Sequence, residues 1–573
     1  MKMIRPLACC GAGRGRYAGA SALVLAAVLV AGCPWGNVDR ERIMLPMRDG
    51  VRLDTHIISP RGNGTWPVML YRTPYDELDN PSVANWTRNG YVVVAQNVRG
   101  RYQSEGDDLP FASDGWGPEA LGGHTDGLDT VNWILAQSWC NGRIGTRGGS
   151  ARGITQNLLA GADPAGIAGQ WIVKAPASFY HGGVFQGGAY RQSQINGWLT
   201  SQGYSQATFD LYDQHPSYDA VWEGLDVTTR QDLRDYPVVN CAGWYDTFQQ
   251  GTIDNFTTIR EHGGPIAREH AKLVINLSAH GLNTGAIAWP WAVQGNAPGY
   301  TAERFFEHYI EGVDNGFDEL PRVVYYMIGD LTRPNGPGNE WRYADDWPVA
   351  AYDMALYGHN DGSLRLEAPG AGADPMTYDY DPTDPVPTLG GANLMIASGN
   401  HDQRPVESRP DVLVFDYGPL PEEIEVTGRL WVTLYGSSNA LDTDFTAKLT
   451  DVYPDGRSIL ISDGIIRARY RDSETDPTVM TPGTVYEFAI DLSSTALVFD
   501  VGHAIRLAIS SSNAPRFAPN PNTGAALSLD DPINPVVATN TVHLEAGYPS
   551  RIILPVTGPD DDADGVPNLV DAD

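Results

Sequence analysis

Two incompatible periodicities divide the chain and limit what it can fold into. From residue 43 to about 306, short apolar runs alternate with stretches whose apolar residues recur at helical spacing, the pattern of a mainly parallel sheet covered by helices. Strands are expected at 68–72, 91–96, 170–175, 238–242 and 272–275. Leu128, Val131 and Leu135 fall at i, i+3 and i+7, which predicts an amphipathic helix over 125–139. Beyond about residue 320 the pattern changes to period-two strands separated by Gly, Pro, Asn and Asp turns, as in 425–434, and predicts an all-β sandwich. The stretch 444–471 reads as a hairpin turning at Tyr453-Pro454-Asp455-Gly456-Arg457.

A chain of 573 residues exceeds what one hydrophobic core fills. The expected division is an N-terminal segment 1–33, an α/β domain over 41–177 and 236–320, an inserted helical cap at 178–235, a β-sandwich of the jelly-roll kind at 321–556, and an Asp-rich tail at 557–573. The cap is inferred because its Gly-, Gln-, Tyr- and Trp-rich sequence supplies no clear sheet strand. Caps of this kind sit over the carboxyl ends of the strands, where open α/β sheets bind ligands. Trp198, Tyr204 and Trp222 are candidates to line a substrate pocket there, with packing inside the cap the expected role for most of its aromatics.

The net charge of −31 repels phosphate backbones and anionic lipid surfaces, so nucleic acid is excluded as a partner. Lys2, Arg5, Arg14 and Arg16 precede an apolar stretch, 20–31, too short for a spanning helix. Val30-Ala31-Gly32-Cys33 follows and resembles a bacterial lipobox. The expectation is an exported lipoprotein that meets the membrane only through its N-terminal anchor. Cys140 and Cys241 are the two cysteines beyond this segment, too few for a disulfide framework, and Cys241 in its apolar run reads as a packing residue.

Gly148-x-Ser150-x-x-Gly153 lies between a small-residue run and a helix-like segment, 154–160, which is the strand-turn-helix that exposes a nucleophilic serine. With 63 glycines in the chain such a motif arises readily by chance. Order carries more weight. In α/β-hydrolases the nucleophile, acid and base follow one another along the chain, with acid and base on loops after later strands. Asp246 follows the run 237–242 and His280 follows 271–277, so Ser150, Asp246 and His280 are the candidate triad. Serine is a poor nucleophile until a histidine accepts its proton, and a carboxylate fixes that histidine's tautomer. His124, His181 and His503 are the rival bases, but none follows an apparent core strand after Asp246.

At these residues the chain resembles the cocaine esterase and X-Pro dipeptidyl-peptidase family, the CocE/NonD hydrolases, along nearly all of its length after the N-terminal segment. The resemblance is carried by Met47-Arg48-Asp49-Gly50-Val51-Arg52, Arg72-Thr73-Pro74-Tyr75-Asp76, Asn97-Val98-Arg99-Gly100-Arg101, the Ser150 region and Gly243-Trp244-Tyr245-Asp246, then by Asp444-Phe445-Thr446-Ala447-Lys448-Leu449, Ser462-Asp463-Gly464-Ile465 and Gly502-His503-Ala504-Ile505-Arg506-Leu507. It implies an α/β-hydrolase core with a jelly-roll domain, Ser150 as nucleophile, His280 as base and Asp246 as its partner. It further implies that Tyr75 donates its hydroxyl to the oxyanion beside the N–H of Ala151. Ala151-Arg152 departs from the family's usual residues after the serine, and 276–280 lacks the usual Gly-Pro-Trp lead. The expected reaction is acyl transfer from a small ester, amide or peptide to water, which requires no cofactor. The alternative class is a non-catalytic surface lipoprotein whose β domain binds carbohydrate or a partner.

Asp560, Asp562, Asp564 and Asp571 reproduce the spacing of a calcium loop, with Asp in place of the usual final Glu. A solvated acidic tail is the competing reading. Calorimetric titration of calcium into a peptide of residues 557–573 decides between them: heat above dilution supports the loop, and its absence removes it.

Overall fold

The computed structural model describes residues 38–76, 78, 81–116, 125–333, 335–525 and 534–557. The expected N-terminal signal and Cys33, the rival base His124, and Asp560, Asp562, Asp564 and Asp571 all lie outside them. Among the described residues no helix is long and apolar enough to cross a membrane.

Ten strands of the described chain form the first sheet: β1 (Val38–Pro46), β2 (Arg52–Pro60), β3 (Trp66–Thr73), β4 (Val92–Asn97), β5 (Cys140–Gly149), β6 (Ile167–Val173), β7 (Val238–Tyr245), β8 (Lys272–Ala279), β9 (Val323–Met327) and β10 (Glu340–Ala344). Their order is β1-β2-β4-β3-β5-β6-β7-β8-β9-β10. From β4 to β9 the neighbours pair in parallel, and β1–β2, β2–β4 and β9–β10 pair antiparallel. Every residue of β4, β7 and β8 is buried, as a parallel sheet covered on both faces requires. Alternation sends Val92 and Val94 to one core cluster and Val93 to the other, and likewise divides Leu273 and Ile275 from Val274.

The α/β domain does not end at residue 320. Strand β9 pairs in parallel with β8, and β10 closes that edge. A short, fully buried apolar run is indistinguishable by periodicity from a sandwich strand, and only its partner assigns it. The β domain follows as two antiparallel sheets, one built around the long pair Ile424–Ser438 and Tyr486–Phe499, the other ordered Leu413–Tyr417, Ala504–Ser510, Asp444–Val452, Ser458–Arg467. The hairpin within 444–471 turns as its sequence predicts: Tyr453 N–H donates to Arg457 O at 2.9 Å, and Gly456 takes φ +85°.

The segment 178–235 folds into a π-helical turn Tyr180–Val184, helices Gln192–Gln202, Gln206–Gln214 and Ala220–Glu223, and a 3₁₀ stretch Val227–Leu233. Tyr180, Phe185, Tyr212 and Trp222 interlock at centroid separations of 4.8–5.9 Å. Trp222 therefore packs the cap, Tyr204 lies under the Arg101 guanidinium beside Trp198, and Trp198 reaches the site described below. The cap is seated on the sandwich by main-chain bonds: Arg467 N–H to Gly187 O at 2.8 Å, Ser193 N–H to Pro515 O at 3.0 Å and Ala518 N–H to Tyr190 O at 3.0 Å. Gly188 has φ +72°, and a Cβ there would stand 2.1 Å from the Tyr470 ring. Gly188→Ala is expected to destabilise the protein by about 2–4 kcal/mol, combining left-handed backbone strain with overpacking, read as a lowered denaturant midpoint of the full chain.

Candidate active site

Sheet register assembles the site. Ala279 stands opposite Tyr245 in the parallel pair β7–β8, so the next residue on each strand, Asp246 and His280, emerges side by side. Asp246 Oδ2 lies 2.9 Å from His280 Nδ1, and His280 Nε2 lies 3.0 Å from Ser150 Oγ. With Asp246 ionised, Nδ1 carries the proton and Nε2 is left to accept the serine hydrogen. His181 and His503 lie elsewhere: His181 faces Glu474, and His503 is buried in the sandwich against Asp451.

Ser150 has φ +57° and ψ −130°, immediately before the helix Ala151–Gly161. A non-glycine residue there costs about 1–3 kcal/mol, held by its surroundings. Ser150 N–H donates to Val173 O at 3.0 Å, and its carbonyl accepts from Gly153 and Ile154 at 2.8 and 3.0 Å. The flanking glycines answer to close approach. A Cβ on Gly148 would meet the Arg152 Cβ at 2.5 Å, and one on Gly153 would meet the Ala175 Cβ at 2.5 Å. Arg152 occupies the place of the usual second glycine because Gly148 leaves room for its Cβ.

Asp246 is fully buried, which by itself raises its pKa. His280, the Lys174 ammonium 3.8 Å away and the Phe248 N–H at 2.8 Å outweigh burial and hold the carboxyl below the ordinary Asp value. Lys174 Nζ also donates to Ala279 O at 2.6 Å, so one side chain ties together the turns that carry the acid and the base. Nothing in the sequence reading singled it out. Its place directly after β6, at the carboxyl edge of the sheet, was the available signal. Cys241 is buried and its thiol is pushed up to about 12 by that burial, as suits a packing residue.

Tyr75 follows β3, which pairs with β5 on the side away from β6. Its loop is pinned by Asn97 Nδ2 to Tyr75 O at 2.8 Å and Arg101 Nε to Pro74 O at 3.2 Å. Trp198 Nε1 donates to the Tyr75 hydroxyl oxygen at 3.1 Å, which orients the hydroxyl. Ala151 is the first residue of its helix, so its N–H has no intrahelical acceptor. Tyr75, Ser150 and Ala151 all line one pocket, whose other walls are mostly apolar: Phe111, Ile154, Phe179, Ile195, Phe248 and the sandwich residue Leu394. Its free volume is about 20 Å³, room for about one water molecule. Leu394 was invisible to sequence reasoning because its contribution depends on how the β domain docks.

A serine on a strained strand-to-helix turn, a histidine and a buried carboxylate in hydrogen-bonded sequence, set on an α/β-hydrolase sheet, define a serine hydrolase. Comparison with known proteins agrees. The model of the X-Pro dipeptidyl-peptidase (S15 family) matches residues 49–211 and 200–282, and that of the X-Pro dipeptidyl-peptidase C-terminal non-catalytic domain matches 315–553. The chain is 33% identical to a cocaine esterase of a Rhodococcus species over 90% of its own length and 98% of that protein's. Among solved structures it is similar to an aminopeptidase from a marine sediment Thaumarchaeota archaeon (26% identity, TM-score 0.76, 92% and 97% of the two chains) and to an α-amino acid ester hydrolase (25%, 0.75, 92% and 98%). The chain belongs to the cocaine esterase and X-Pro dipeptidyl-peptidase family of CocE/NonD serine hydrolases.

Lys174→Met should lower kcat on the order of tenfold, the effect of about 1.4 kcal/mol on the barrier. Because the Lys174 ammonium favours the unprotonated form of the coupled Asp246–His280 pair, its loss makes that pair easier to protonate, and the acid limb of the kcat/KM profile should move to higher pH. An unmoved limb would refute the electrostatic part of this role.

Proposed function

We propose that the protein hydrolyses esters bearing a compact apolar acyl group through an acyl-enzyme on Ser150. The observation that carries this reading is the Ser150–His280–Asp246 hydrogen-bonded chain opening onto an apolar pocket. His280 Nε2 takes the hydroxyl proton as Ser150 attacks the carbonyl, and the imidazolium that forms is stabilised by Asp246. The developing oxyanion is received by the Tyr75 hydroxyl and the Ala151 N–H, each donor worth about 3 kcal/mol in such sites. Collapse expels the alkoxide with the proton from His280, and water repeats the sequence on the acyl-enzyme.

Dipeptidyl-peptidase activity, for which the matching S15 family is named, would need an anionic group to receive the substrate's free amine. The described residues lining the pocket include no carboxylate, which favours the ester. The Arg-rich start, apolar stretch and Cys33 support export as a membrane-anchored lipoprotein, and the spacing of Asp560, Asp562, Asp564 and Asp571 supports calcium at the tail.

The test is a panel of nitrophenyl esters and Xaa-Pro anilides with the wild type and Ser150→Ala. Short-acyl esters should exceed the anilides in kcat/KM by at least about 100-fold, and Ser150→Ala should lose on the order of 10⁴-fold or more in kcat together with fluorophosphonate labelling. Unchanged turnover in the variant, or anilides preferred over esters, would overturn the proposal.

A further inference from the structure

Behind the turn that carries Asp246 lies a second and larger space. A cavity of about 580 Å³ opens where the helix Gln249–His262, the π-helical turn of the cap and the sandwich meet. It shares no lining residue with the Ser150 pocket, and its volume falls in the range of small-molecule sites, about 300–1,000 Å³.

Its lining carries Asp246 of the triad, Asp254, Glu474 and Asp491 beside Arg191, Arg429 and Arg516, and these charges are unevenly matched. Arg429 is paired with Asp254 at 3.1 Å and Asp491 at 2.5 Å, and His181 lies 3.3 Å from Glu474. Arg191 is different. It is 5% exposed and lines the cavity. Its Nη1 and Nη2 donate only to main-chain carbonyls, Gly182 O at 2.5 Å and Thr247 O at 3.0 Å. Among the described residues no carboxylate lies within ion-pair distance of it. A second buried guanidinium lies beside it. Arg516, also buried and lining the cavity, is held by Asp463 at 2.5 Å, and the buried Lys448 ammonium rests on Gln403 Oε1 at 3.1 Å. Asp463 thus faces three buried cations, while Asp246 is engaged by His280 and Lys174. Burial, with Arg516 beside it, pulls Arg191 down to about 9 against the opposing influence of Asp463 and Asp246. A buried charge without a partner is costly, and a guanidinium fork matches a carboxylate in two parallel hydrogen bonds. Trp431, Ile465, Ile466 and Ala489 supply an apolar wall that an inorganic ion would leave unfilled.

We propose that this cavity is a second binding site, separate from the ester-cleaving pocket, for a small organic carboxylate held by Arg191 with Arg516. Occupancy has a direct route to the reacting groups. Arg191 holds the carbonyl of Thr247, the residue after Asp246, and the Thr247 hydroxyl donates to Gln194, which lines the Ser150 pocket. A carboxylate drawn onto Arg191 therefore acts on the turn that positions the acid.

The experiment is calorimetric titration of cyclohexanecarboxylate, too large for the Ser150 pocket as it stands, into the full chain before and after fluorophosphonate treatment, with sodium sulfate as the inorganic probe. The expected result is one site per chain, unchanged by labelling of Ser150, weakened at least tenfold in Arg191→Met and partly retained in Arg191→Lys, with sulfate binding more weakly. Ala489→Trp, which fills the cavity from the sandwich wall, should abolish binding and serves if Arg191→Met does not fold. If the serine does not label, these variants alone decide. Absence of binding, its loss on labelling, undiminished affinity in Arg191→Met or Ala489→Trp, or sulfate binding as tightly as the organic acid would each overturn the proposal.

Discussion

Everything in the site depends on parallel register. Strands β3, β5, β6, β7 and β8 end at one edge of the sheet in that spatial order, and the residues just past their ends are Tyr75, Ser150, Lys174, Asp246 and His280. A slip of one residue between β7 and β8 would turn either Asp246 or His280 to the opposite face. The burial of both strands along their whole length makes such a slip prohibitive, since it would exchange the apolar sets that fill the two core clusters. The hydrophobic effect, which is indifferent to chemistry, thus sets the geometry that acyl transfer needs.

Strain and charge are concentrated where that frame can hold them. Ser150 sits in a positive-φ conformation because Val173 on β6 and the first turn of the following helix hold its main chain from both sides. Asp246 stays ionised in a buried place because three donors or cations converge on it. Preorganisation of this kind removes reorganisation from the reaction itself.

The cap and the sandwich convert this frame into a pocket. Trp198 from the cap and Leu394 from the sandwich close on the serine, and main-chain bonds between these two parts fix their relative position. The same three-way junction leaves the larger cavity on the other side of the Asp246–Thr247 turn. On its wall the buried Arg191 and Arg516 stand beside Asp246, Asp254, Glu474 and Asp491, with Asp463 behind them shared between Arg191, Arg516 and Lys448.

Local pattern was enough to find the parallel strands, the helix before Ser150 and the sandwich hairpin, while chain order singled out Ser150, Asp246 and His280, which the structure brings into hydrogen-bonded sequence. It was not enough to end the α/β domain. The run 323–327 has the same apolar character in a parallel sheet as in a sandwich, and only pairing with β8 decided it. The contacts of Lys174 with Asp246 and Ala279, the Trp198 bond to Tyr75 and the Leu394 wall were also beyond reach. Each joins residues far apart in the chain, and such contacts exist only after helices, cap and sandwich have packed. Chemistry carried by residue type and order is therefore legible along the chain, whereas pocket shape and the balance of buried charge are decided by long-range packing, which leaves no local periodicity to read.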